Sequence, residues 1–194
     1  MIKAESIWRA DAQQRIFREL VECLSRPGEV RDLARWTEGT AARRAVLATP
    51  MDGETTLADP HGQIDAWDWP LLQARRDTAE DARYVVADGR RAPGFQPALG
   101  TLESPELGAT LLIEVAAVGS GPLALELAGP GIDGLGIDGR CELHLDGLHP
   151  DWLRCRSDWA AGFPLGVDML LTDTTRIVAL PRTTRVTITG NPLT

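Results

Sequence analysis

Arg182, Thr183 and Thr184 are the residues in this sequence best suited to chemistry. They follow Pro181 on a turn, where a planar guanidinium fork and two hydroxyls converge. Such a grouping suits an oxyanion, phosphate or carboxylate, because arginine presents parallel donors to two oxygens at once. Asp168 begins the preceding strand pair and supplies the competing partner. In that second reading Arg182 pairs with Asp168 and the threonines satisfy the turn's own backbone. Spacing alone leaves both readings open.

Other chemistries are narrower still. Of the 20 basic residues only Lys3 is a lysine, and it lies in the leading segment. A Schiff-base lysine needs a desolvated, fixed position, so covalent pyridoxal phosphate is not expected. No Walker A loop occurs. Residues 129–134 satisfy the glycine pattern of a dinucleotide site, but a turn and an alternating strand are predicted after it, where that motif needs a helix to hold the pyrophosphate. Cys141, His144, His149 and Cys155 form no metal unit, since Cys141 and His144 point to opposite faces of a strand. His61 is predicted to be an exposed loop residue. No nucleophile–base pair of the triad kind is apparent.

These residues need elements to hold them. Residues 11–25 read as an amphipathic helix, with Asp11 and Gln14 at capping-box spacing and Ile16, Phe17, Leu20, Cys23 and Leu24 as its buried face. Pro27-Gly28 stops it. Short strands are predicted at 30–33, 44–49 and 55–58, the last two joined by a turn at 51–54. A short helix follows Trp69-Pro70. Strands are predicted at 84–87, 110–118 and 123–127, with 88–108 a long breaker-rich loop and Gly119-Ser120-Gly121-Pro122 a tight connection. Residues 141–145 read as a strand and 150–159 as a helix. Two strands at 167–171 and 177–180 flank the turn Asp173-Thr174-Thr175, and a half-buried strand covers 185–189. The expected architecture is a layered α/β/α fold with a mixed β-sheet, in a single domain over residues 1–194.

Composition sets the class. A chain of 194 residues with 43% hydrophobic and 25% charged residues is ordinary for a globular domain. The net charge of −8 repels nucleic acid and anionic membranes, so neither is an expected partner. No apolar run approaches the ~20 residues of a membrane span, and the N-terminus lacks the pattern of a signal peptide. Three cysteines without a close motif fit a reduced cytoplasm.

Several segments in order resemble the PhnH family of bacterial carbon–phosphorus lyase subunits. They are Phe17-Arg18-Glu19-Leu20 through Ser25-Arg26-Pro27-Gly28, Pro105 to Leu111, Leu127 to Ile132, Phe163 to Asp168, and Pro181 to Thr184. Residues 52–91 match poorly. The resemblance implies a fold similar to pyridoxal-phosphate-dependent transferases without the cofactor lysine. It implies a homodimer that joins G, I and J subunits. It also implies a role in coupling a phosphonate to the ribose carbon of ATP, giving a ribose 1-phosphonate 5-triphosphate. The chain has no CxxxCxxC, so radical iron–sulfur chemistry is not its own. Three roles follow. One is a non-catalytic structural subunit. Another is a subunit in which Arg182, Thr183, Thr184, Asp168, Ser25, Arg26 and Gly28 hold a phosphonate or nucleotide, with no cofactor or metal. The third is a free-standing anion- or nucleotide-binding transferase-like protein.

Overall fold

The computed structural model describes residues 6–37, 39–132 and 139–190. After a 3-10 turn at Ser6–Trp8 come α1 (Ala10–Ser25), β1 (Arg31–Asp32), α2 (Ala34–Thr37) and α3 (Ala42–Leu47). Then follow β2 (Thr56–Ala58), α4 (Trp69–Leu72), β3 (Arg75–Arg76), β4 (Tyr84–Asp88) and β5 (Thr110–Glu114). The chain closes with β6 (Ala117–Ala128), β7 (Arg140–Asp146), α5 (Asp151–Trp159), β8 (Asp168–Thr172), β9 (Arg176–Leu180) and β10 (Arg185–Gly190).

Seven strands form one mixed sheet in the order β1-β9-β8-β5-β4-β2-β3. β3, β2, β4, β5 and β8 run parallel, while β9 and β1 are antiparallel to their neighbours. Alternation along each strand sends side chains to two cores. Val86, Leu112, Leu170, Ile177 and Ala179 face one side, under α1 and α3. Val85, Leu111, Ile113, Met169, Leu171, Val178 and Leu180 face the other. That second side is covered by a three-stranded antiparallel sheet, β10-β6-β7, together with α5. The α/β/α layering expected from the sequence is therefore corrected: a small sheet plus one helix takes the place of the second helical layer.

Three local expectations are also corrected. Residues 42–47 form a helix, not part of a strand at 44–49. Ala42, Ala45 and Val46 are its buried residues, an i, i+3, i+4 spacing that one face of a helix satisfies. β2 accordingly pairs in parallel with β3 and β4 and makes no hairpin with 44–49. The run 110–118 is not one strand. It leaves the main sheet after Glu114, where Val115 N–H bonds Thr172 O and Ala116 N–H bonds Asp146 O. Gly119 to Pro122 is not a connection but a bulge within β6: Val118 and Leu123 both lie opposite Leu145.

α1 begins one residue earlier than expected, and no side chain caps it. Asp11 sits in the first turn and accepts from Arg9 Nε at 3.2 Å. Its buried row is Ala12, Ile16, Leu20 and Cys23. Phe17 and Leu24, expected inside, are 51% and 38% exposed. Burial of the Cys23 thiol pushes it up to about 12, so it is a core residue and no nucleophile. The strand pair β8–β9 and the helix α5 form as expected. No helix among the described residues is long and apolar enough to cross a membrane.

Candidate functional site

Asp168 is the first residue of β8, and β9 ends at Leu180, so the Pro181–Thr184 turn closes over it. Asp168 Oδ1 accepts the Arg182 backbone N–H at 2.8 Å, and Oδ2 accepts Arg182 Nη2 at 2.8 Å. Arg182 Nη1 then donates to Pro105 O at 2.7 Å and reaches Pro164 O at 3.5 Å. The arginine side chain is only 14% exposed. Gly108 belongs to the same junction, since a Cβ there would collide with Gly166 O and lie 2.9 Å from Arg182 Nη1. One guanidinium thus joins the 105–108 loop, the segment after the cis Phe163–Pro164 peptide, and the end of β9.

The two threonines part company. Thr183 is exposed, whereas Thr184 is 3% exposed and its Oγ1 has no hydrogen-bond partner. Beneath the turn lies Arg156 of α5, 4% exposed, donating from Nη2 to Pro181 O at 2.6 Å and to Thr184 O at 2.9 Å. Burial pushes its guanidinium down to about 10, opposed by the Asp168 charge, so it stays a cation near neutrality. Arg156 is a key residue that sequence reasoning missed. The signal was present: Trp152, Leu153, Arg156 and Trp159 are the buried residues of α5, an i, i+1, i+4, i+7 row. The expected apolar set took its neighbour Cys155 instead.

The Ser25–Gly28 turn sits nearby through a third segment. A Cβ at Gly129 would lie 2.9 Å from Thr183 O, and one at Gly131 would collide with Ser25 O. The Gly129-Pro130-Gly131 turn is therefore wedged between the two turns, which accounts for its glycines. The rest of the dinucleotide-like pattern, residues 133 and 134, lies outside the described residues. Ser25 Oγ bonds Glu22 O at 2.9 Å, and exposed Arg26 pairs with Glu22 and Glu29, each at 3.6 Å. Gly28 has φ of +88° and no room for a side chain, with Cys141 Sγ 2.5 Å from where a Cβ would stand. Of the seven expected site residues, Ser25 and Thr183 flank one turn, while the Arg182 and Asp168 side chains are committed to each other.

The junction lies at the wrong end of the sheet for ordinary α/β ligand binding. Arg182 and Asp168 stand at the amino ends of β5 and β8. Ligands of doubly wound sheets sit outside the carboxyl ends, where the winding direction reverses. Here the reversal falls between β2 and β4, because β3 lies on one side of β2 and the later parallel strands on the other. His61, from the loop after β2, bridges that crevice. Its Nδ1 accepts the N–H of Asp88, the last residue of β4, at 3.1 Å, and its ring lies edge-on to Phe95. It is half-buried, not exposed as expected, and burial with the nearby Arg91 charge holds its pKa below the usual histidine value. Glu114, at the end of β5, is tied to Arg43 at 2.7 Å. No group of three potential metal ligands occurs among the described residues.

Three signature segments meeting at one structural arginine mark a family scaffold more than a catalytic cleft. The chain matches the family model for the bacterial phosphonate metabolism protein PhnH over residues 5–187, and it belongs to that family. It is 41% identical over 184 residues to a putative C-P lyase subunit protein, HtxG, of Stutzerimonas stutzeri, covering 95% of this chain and 90% of that one. It is 33% identical over 188 residues to the PhnH subunit of the alpha-D-ribose 1-methylphosphonate 5-triphosphate synthase of Rhizobium meliloti, covering 89% of each.

Proposed function

We propose that this chain is a subunit of a carbon–phosphorus lyase system in organophosphonate catabolism. With its partner subunits, resembling G, I and J, it is needed for ATP and an alkylphosphonate to become ribose 1-phosphonate 5-triphosphate and adenine. In this reading it is a cytoplasmic homodimer, and its likeness to pyridoxal-phosphate-dependent transferases extends to the sheet alone, since no lysine occurs among the described residues. The two relatives named as subunits of such systems, aligned over most of their length, support the assignment. The observation that favours a structural over a catalytic part is the use of Arg182. Its guanidinium is spent on Asp168, Pro105 and Pro164 rather than left for a ligand.

The anion reading then contracts to the exposed groups around the wedged turn: Thr183, with Ser25 and Arg26, whose own partners are Glu22 and Glu29. The neighbouring cleft of about 770 Å³ adds Arg185 and the Arg140–Glu126 pair, joined at 2.7 Å. Co-expression with the G, I and J subunits and purification through a tag on this chain tests the assignment. A stable assembly larger than a homodimer is expected by light scattering. A clean homodimer that ignores those subunits would favour the free-standing protein instead.

A further inference from the structure

The two sheets have four edge strands, and three of them are blunted. β1 and β3 close the large sheet with two residues each, Arg31–Asp32 and Arg75–Arg76. β7 closes one side of the small sheet and sets Arg140, Glu142 and His144 at alternate positions of one face. Short strands and rows of charge are the means by which proteins keep edges from pairing. β10, at the fourth edge, has neither. It runs over six residues, Arg185–Gly190, and Arg185 is its only charge. Val186, Thr187, Ile188 and Thr189 are all strand formers. Its main chain bonds β6, and no other segment among the described residues reaches it. Alternate residues of an antiparallel strand turn N–H and C=O to each side, so about half of these groups face outward unpaired. Val186 and Ile188 lie opposite the core residues Leu127 and Leu125 of β6 and share their face, yet Ile188 is 48% exposed. Beside them runs a groove of about 490 Å³, whose far wall is Pro150 and Leu153 at the start of α5.

We propose that β10 takes up an extended strand of a partner subunit, main chain to main chain, which lengthens the small sheet by one strand. The inference rests on the subunit reading above and supplies a surface for it. Backbone pairing along an open edge gives affinity, and pockets for alternate side chains give specificity. Two features of the edge define the partner. Apolar side chains at alternate positions of the added strand fall beside Val186 and Ile188 and fill the groove against α5. On its other face the added strand carries an acid, because exposed Arg185 has no counter-charge among the described residues. The cross-strand neighbour of Arg185 on β6 is Ala128, and Glu126, the acid of that strand, pairs with Arg140 at 2.7 Å. A carboxylate opposite Arg185 lies at the cleft that this arginine lines, and opposite charges on paired strands attract. A second copy of β10 does not meet the requirement. The strand holds no acid, so pairing it with itself leaves both arginines uncompensated.

The test is hydrogen exchange of the full chain, alone and in the assembly purified with the G, I and J subunits. In the assembly, exchange across residues 185–190 is expected to slow by about tenfold or more at the amides turned outward, while β7 keeps the rates of the free chain. Arg185→Glu should weaken the assembly by about tenfold, and Ile188→Lys by at least as much, since a charge in the groove bars the added strand. Both side chains are exposed, so each variant alone should melt like the wild type, which excludes misfolding as the cause. An assembly in which β10 exchanges as it does in the free chain overturns the added strand and leaves the subunit assignment standing. An assembly indifferent to both substitutions does the same. Protection of β10 in the chain alone that grows with concentration means that a second copy closes the edge, and it overturns the proposal too. Failure to assemble overturns the subunit assignment and this surface with it.

Discussion

Arg156→Ala is expected to unfold well below the wild type in a thermal melt. The side chain lies inside the Pro181–Thr184 turn and is the donor to two carbonyls there, Pro181 O and Thr184 O. Removing it leaves a cavity and takes from Thr184 O its donor, while Pro181 O keeps only the Thr184 N–H at 2.9 Å. The orphaned Thr184 carbonyl costs about 1–3 kcal/mol, and the cavity adds its own term of about 1–2 kcal/mol. Relief of the buried charge offsets part of this, so the expected net loss is about 2–3 kcal/mol. For a chain of this length that is a fall in Tm of about 4–12 °C. Arg156→Met separates the two contributions. Methionine fills most of the volume and donates nothing, so it should recover only the cavity share. A methionine variant as stable as the wild type would show that the two hydrogen bonds contribute nothing.

Arg182→Ala is expected to behave as the loss of a clamp and not as the loss of a ligand site. Asp168 would be left partly buried with only the backbone N–H of residue 182, and Pro105 O would keep only the Gly108 N–H at 3.1 Å. Breaking a buried pair costs about 3–5 kcal/mol. Here Asp168 is 25% exposed and can recruit water, so about 2–3 kcal/mol is the better expectation. Arg182→Lys keeps the charge but cannot span both Asp168 and Pro105 with a fork, and it should recover less than half. Hydrogen exchange should rise at the 105–108 loop and the 163–168 segment in both variants. An Arg182→Ala protein that melts like the wild type but loses affinity for phosphonate or nucleotide would return Arg182 to the anion site.

The sequence made the centre of the fold legible. Strands β4, β8 and β9 carry short apolar runs bounded by turn formers, and each was placed within a residue or two. Asp173 shows why that turn was readable. Val118, Thr175 and Arg176 all donate to its carboxylate, which holds its pKa below the usual range although burial alone would raise it. What failed was longer-range. Arg44 looked like the start of a strand because Ala45 to Leu47 is apolar, but its partner is Asp68, a neighbour only once the chain has folded. Residues 110–118 are apolar but for Thr110 and Glu114 because they enter two different sheets in turn, and the crossing at Val115 and exposed Ala116 carries no Gly or Pro to mark it. Phe17 and Leu24 were assigned inward because exposed and core apolar positions read alike in one chain.

The candidate site was legible as a set of residues and not as a geometry. Arg182 and Asp168 were both singled out, and the choice between anion binding and mutual pairing could not be made from spacing. That choice depends on Pro105, far away in sequence, whose carbonyl takes the remaining Nη1 donor. Arg156 went unnoticed because a cation on an apolar helix face is usually taken for a solvated one.

The central claim is that this chain is required by a multi-subunit reaction to which it contributes structure. The most direct measurement is adenine release from ATP and methylphosphonate by purified G, I and J subunits, with and without this chain. The expected result is no release by this chain alone, little by the partners alone, and full turnover when they are combined. Equal turnover without this chain, or adenine release by this chain on its own, would contradict the account.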